Sequence, residues 1–228
     1  DSTYPDDYEP DIIKGFYDSY PGTIYVSNLN RKSLSKSQNA RTHPLPVGID
    51  FHTLTNRSLW GESLTGWKEQ MNNMVNLRES AKSIHNRNKR ILITWVDPNL
   101  QDYSRFDPDY MGRKDIKNIL LKTGLCDHVI GSRTELWNKM CEYAFVYSPI
   151  GRGFDCHRTW EAIALGCIVI AQENPAIKEF INMFPIAIHK PEIDIIDTEY
   201  LDNLLNRYKP AKLLDMTVDK VIKANKQI

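Results

Sequence analysis

The stretch YAFVYSPIGRGFDCHRTWEAIALGCIVIAQ, residues 143–172, decides the fold. YAFVYSPI (143–150) is a continuous apolar run, DCHRTWEAIALG (155–166) carries apolar residues at helical spacing, and CIVIAQ (167–172) is again apolar. Strand, helix and strand separated by short glycine-bearing loops make a βαβ unit, whose strands lie parallel and are buried on both faces. Outward from it the alternation continues. RILITWVD (90–97) and PIAIHK (185–190) read as further buried strands and VIG (129–131) as a short one. RKDIKNILLKTG (113–124, closed by Gly124), RTELWNKMCE (133–142), NPAIKEFINMF (174–184) and the end from Thr198 onward read as helices. An α/β layer built on a parallel sheet is the most economical fold.

The first third differs. Residues 1–22, rich in Asp, Tyr and Pro, are expected to be irregular apart from a turn or short helix over 11–17. TIYVSN (23–28) reads as a strand, LNRKSLSKSQNARTH (29–43) as a loop or short helix, and PLPVGIDF (44–51) as a second strand suited to a sheet edge. From 63 to 88, Trp67, Met71, Met74, Val75 and Leu77 recur at helical spacing and predict one amphipathic helix fraying into HNRNKR.

Twenty-nine basic residues cancel 29 acidic ones, so no global field draws the chain to nucleic acid or to an anionic membrane. Any polyanion site must be local. Cys126, Cys141, Cys156 and Cys167 show no C-x-x-C spacing and are expected as free thiols, which favours a reducing compartment. No stretch approaches the roughly 20 apolar residues of a membrane span, and Asp1 opens a segment unlike a signal peptide, so a soluble chain is expected.

Parallel sheets bind ligands where strands hand over to helix N-termini. Gly151-Arg152-Gly153 is such a hand-over, with glycines that let backbone approach a phosphate. Beyond it, residues 154, 157, 158 and 161 fall on one helical face, so His157, Arg158 and Glu161 form a polar stripe on a mostly buried helix. Three ionisable groups there need partners, from one another or from a polar ligand. Arg158 offers a planar fork suited to phosphate and Glu161 offers acceptors suited to a ribose diol. The structural alternative is an Arg158–Glu161 ion pair bracing the helix, with His157 a satisfied buried imidazole. Asp155 reads most simply as the helix N-cap.

The same residues resemble the signature of exostosin-like glycosyltransferases: a strand ending in Ser/Cys-Pro-x-Gly, a loop, an Arg, an aromatic-Glu-Ala triplet and Gly-x-x-Pro. Ser148, Pro149, Gly151, Gly153, Asp155, Arg158, Trp160, Glu161, Ala162, Gly166 and Ile168 match, and Val169 departs where the family carries Pro. LPVGIDFHTL and RILITWVD…GRKDIKNIL look like family elements too, so the likeness spans roughly 44–205. It implies a GT-B architecture of two facing Rossmann-like α/β domains, with the first domain reduced or truncated and a parallel sheet in the second. The expected organisation is an acceptor-side part at 1–62, a linking helix at 63–89, a nucleotide-sugar-binding domain at 90–197 and C-terminal helices at 198–228.

The resemblance further implies inverting transfer from a nucleotide sugar, a UDP-sugar, to a hydroxyl of a glycan or glycoprotein, without metal or other cofactor. Arg158 would hold the diphosphate, with Arg113 a second candidate, and Glu161 the ribose. Gly151, Arg152, Gly153, Asp155 and His157 would border the donor. The general base is expected from the first part of the chain, where Asp6, Asp7, Glu9, Asp50 and His52 are available and Asp7 and His52 rank first. The compact chain looks more like small members of the family from large algal viruses than like animal Golgi enzymes. A cytoplasmic location follows, or the Golgi lumen if an upstream anchor exists. Two rivals remain besides a non-catalytic sugar-binding module of the same fold. Asp107 and Asp109 could hold a cation in a GT-A transferase, although no apolar strand precedes them. Gly151-x-Gly153 with Glu173 imitates a dinucleotide fingerprint, but Cys156 occupies the third glycine position.

Overall fold

The computed structural model describes residues 19–29, 34–59, 61–95, 110–151, 153–212 and 216–225. Expectations for 11–17, for Asp6, Asp7, Glu9 and Arg152, and for Asp107 and Asp109 lie outside them.

A short strand β1 (Ile24–Val26) pairs in parallel with β2 (Thr42–Pro44), joined through α1 (Lys36–Arg41), whose Ser35 and Gln38 form a capping box. The second strand thus lies just ahead of the predicted 44–51. Pro44 and Pro46 have no N–H to give, so pairing ends with a single bond from Leu45 N–H to Val26 (2.9 Å) and the chain runs on unpaired. α2 (His52–Asn56) follows, then α3 (Trp67–Ser80). α3 stops before the predicted end, and a single 3₁₀ turn (Ile84–Asn86) leads into the sheet. Its inward face keeps only part of the predicted apolar set: Met74 is buried and Leu77 packs against the core. Gln70 and Met74 are buried, while Trp67 and Met71 stand 50% and 40% exposed. Gln70 goes inward because its amide donates to the carbonyls of Phe51 (3.0 Å) and Thr65 (2.7 Å) and its oxygen accepts from Arg133 (2.8 Å).

The second sheet contains β3 (Asn88–Ile93), β4 (Cys126–His128), β5 (Tyr143–Ser148), β6 (Ile168–Gln172) and β7 (Ile186–His189). All neighbours are parallel, in the order β4-β3-β5-β6-β7. β4 sits just before the predicted 129–131, because Cys126 supplies the buried apolar position against Ile91. The crossovers carry α4 (Arg113–Lys122), α5 (Arg133–Glu142), α6 (His157–Ala164) and a four-residue α7 (Pro175–Lys178). α7 is shorter than 174–184 predicts: Phe180 and Phe184 turn inward and set their edges on Trp160. α8 (Thr198–Arg207) and α9 (Val218–Asn225) close the described chain.

β5 and β6 are buried along their whole length, as centre strands of a two-sided parallel sheet must be. One face packs Leu92, Val146 and Val169 under α3, α5 and α6 through Met74, Trp137, Met140 and Trp160. The other packs Ile91, Ile93, Phe145 and Tyr147 under α4 and α8 through Ile116, Leu120, Leu201 and Leu204. Each of these side chains contributes about 2 kcal/mol on burial. The architecture is a Rossmann-like α/β fold, and its switch point, where successive crossovers leave in opposite directions, lies between β3 and β5. All four cysteines are free thiols. No helix among the described residues is long and apolar enough to cross a membrane.

Candidate functional site

A cleft of about 520 Å³ opens at the carboxyl ends of β3, β4 and β5, within the size range of small-ligand sites. Thr94 and Trp95 follow β3, Ile130 and Gly131 follow β4, and Cys156, His157, Arg158 and Glu161 belong to the start of α6. Arg113 opens α4, and Arg133, Leu136, Trp137 and Met140 come from α5. Asp50 arrives from the first third of the chain.

Arg158 and Glu161 do not pair with each other. Arg158 donates from Nε to the Thr94 hydroxyl (2.8 Å) and lies over the Trp95 ring, 5.9 Å from its centroid. Its two terminal amines take no partner among the described residues. Glu161 instead accepts from Arg133 through Oε1 (3.0 Å), and its Oε2 takes no partner among the described residues. Arg133 is only 6% exposed. It also donates to Gln70 and stacks on Trp137 at 4.4 Å, so its fork is held on three sides. A buried charge pair of this kind stabilises little by itself but fixes the carboxylate's direction.

His157, the first residue of α6, stands 2.7 Å through Nδ1 from the Gly48 carbonyl. A carbonyl only accepts, so Nδ1 carries the proton. Asp50 lies two residues beyond Gly48. Burial alone would raise its carboxyl, but the Thr53 hydroxyl (2.5 Å) and backbone N–H (2.8 Å), with His157 and Arg133 nearby, hold it below the ordinary carboxylate range. It therefore stays ionised.

Arg113, His157, Arg158 and Glu161 are thus the expected donor residues that the fold brings together around the cleft. Gly151, Gly153 and Asp155 sit behind it. The Gly151 N–H donates to the Gly153 carbonyl (3.0 Å), so it is spent within the loop. A Cβ on Gly151 would lie 2.7 Å from an Arg113 amine, and one on Gly153 would lie 2.6 Å from Asn28 Oδ1. Both glycines admit protein side chains. Asp155 is not the N-cap: Cys156 takes that place without a side-chain capping bond. The Asp155 carboxylate, 3% exposed, turns inward and accepts from the Val47 N–H (2.8 Å) and the Trp160 indole (2.7 Å). Asn28, with φ 57°, accepts from the Asp155 N–H at 2.6 Å. Burial pushes the Asp155 carboxyl up to about 7 against the pull of these donors. His52 is exposed at the start of α2 and does not line the cleft.

Arg133, Thr94 and Trp95 line the cleft without being among the residues expected there, and Asp50 reaches it where His52 ranks ahead in the sequence. Thr94 and Trp95 carried a signal, since they end an apolar strand. The Ser132-x-x-Glu135 capping box marks Arg133 as opening a helix, but nothing local names Glu161 as its partner. No protein-family model matches the chain, and a search of the curated proteins finds no match.

Proposed function

We propose that the chain is a metal-independent, inverting glycosyltransferase of exostosin-like, GT-B type, which takes a nucleotide sugar, a UDP-sugar, into this cleft. It passes the sugar to a hydroxyl of a glycan or glycoprotein. The observation that carries the reading is the pair Arg158 and Glu161, adjacent on one helix face yet turned to the cleft instead of onto each other. The terminal amines of Arg158 fit a diphosphate bidentately, and the open oxygen of Glu161 fits a ribose hydroxyl. As the bond from the anomeric carbon to the diphosphate breaks, the leaving group gains charge. Arg158 and Arg113 line the cleft, and on this reading their charge meets the departing diphosphate, so the transition state is stabilised more than the ground state.

The test is a thermal-shift screen of UDP, GDP and their sugars, followed by nucleotide release with glycan acceptors in a chelating buffer. The reading expects one nucleotide class to raise the melting temperature by mass action, and release that depends on acceptor and survives chelation. Binding without release would mark a non-catalytic module. Release abolished by chelator and restored by manganese would point to Asp107 and Asp109 instead.

A further inference from the structure

The first third of the chain was expected to supply the general base, yet of its described candidates only Asp50 reaches the cleft, and Thr53 occupies both of its oxygens. His157 is better placed. Its Nδ1–H is fixed on the Gly48 carbonyl at 2.7 Å, which determines both the ring's orientation and its tautomer. The lone pair of the neutral imidazole therefore resides on Nε2, and Nε2 has no partner among the described residues. His157 lines the cleft beside Arg158 and Glu161, one helical turn from the group assigned to the ribose and adjacent to the one assigned to the diphosphate.

We propose that His157 is the catalytic general base, supplied by the donor-binding helix itself; this rests on the glycosyltransferase reading. Nε2 takes the proton of the acceptor hydroxyl while that oxygen bonds to the anomeric carbon. The bond from the anomeric carbon to the diphosphate breaks, and its electron pair leaves with the diphosphate. The proton stays on the imidazolium and passes to solvent after product release. The Gly48 carbonyl and the ionised Asp50 act as positioning and charge-balancing groups, stabilising the imidazolium as it forms. Among the described residues, the charged groups that line the cleft with the ring are Asp50 from the segment after β2, Arg113 from α4, Arg133 from α5, and Arg158 and Glu161 from its own helix.

His157→Asn separates catalysis from support, because an asparagine amide nitrogen stands where Nδ1 stands and keeps the bond to Gly48 while leaving nothing at Nε2. Expected are a fall in acceptor-dependent nucleotide release of about a hundredfold or more, UDP affinity by calorimetry within about threefold of the unaltered protein, and loss of the acidic limb of the kcat/KM profile. Turnover retained within about threefold by the variant, or nitrogen NMR placing the proton on Nε2 in the free protein, would overturn the base alone. Absence of turnover by the unaltered protein with every donor and acceptor would overturn the transferase reading and the base with it.

Discussion

Replacing Asp155 by Asn tests the energetics of the junction behind the cleft. The carboxylate is almost wholly buried, and its desolvation lifts it to about 7, whereas the unfolded chain titrates near 4. Between those values the folded protein keeps a proton that the unfolded chain has released, so stability falls as pH rises through the window. The fall is at most about 1.4 kcal/mol per pH unit and about 4 kcal/mol in all. Asparagine resembles the protonated carboxyl and has no such dependence. The unaltered protein should therefore lose about 4 kcal/mol of stability relative to Asp155→Asn between about pH 4 and pH 8. With a urea slope of about 2 kcal/mol/M this is a relative shift of about 2 M in midpoint. The assay is urea unfolding followed by the fluorescence of the buried Trp95, Trp137 and Trp160 at a series of pH values. A difference that stays constant across the range, or that grows in favour of the aspartate, would refute the argument. It would mean that the Val47 and Trp160 donors offset desolvation in the first case and outweigh it in the second.

Arg158→Ala should lower kcat/KM about a hundredfold or more, about 2.7 kcal/mol of transition-state stabilisation, with the fold intact; unchanged turnover would remove Arg158 from the mechanism. Glu161→Gln leaves Arg133 a neutral acceptor and should weaken UDP binding about tenfold, read by calorimetry, whereas equal affinity would refute the ribose assignment. Gly153→Ala places a Cβ 2.6 Å from Asn28 Oδ1, so Asn28 must give up its bond to the Asp155 N–H. The expected cost is about 1–3 kcal/mol, visible as a lower urea midpoint; an unchanged midpoint would show that the junction yields freely.

The parallel sheet was legible because its strands and helices carry their own periodicity: β5, α6 and β6 could be read from 30 consecutive residues, 143–172. The stripe of His157, Arg158 and Glu161 was legible for the same reason. What escaped depends on partners distant in the chain. Glu161 meets Arg133 and Arg133 meets Gln70 across separations of 28 and 63 residues, and no local pattern records either. On α3 the spacing placed Met74 and Leu77 inward as found, but it also assigned Trp67 and Met71 there, whereas Gln70 takes the place at the N-terminal end for its hydrogen bonds. Gly151 and Gly153 read from the sequence as backbone positions open to a ligand, but a missing Cβ does not say what approaches. Here Arg113 and Asn28 do.

The bonds that Asn28, Val47 and Gly48 make to Asp155 and His157 also bear on modularity. Grafted onto another scaffold without the first 50 residues, the five-stranded layer would retain Arg158 and Glu161 but forfeit the carbonyl that aligns the imidazole. A recombination cut near residue 62 would have to bring both sides from the same parent. What looks like a thin appendage is the jig that holds α6 in adjustment.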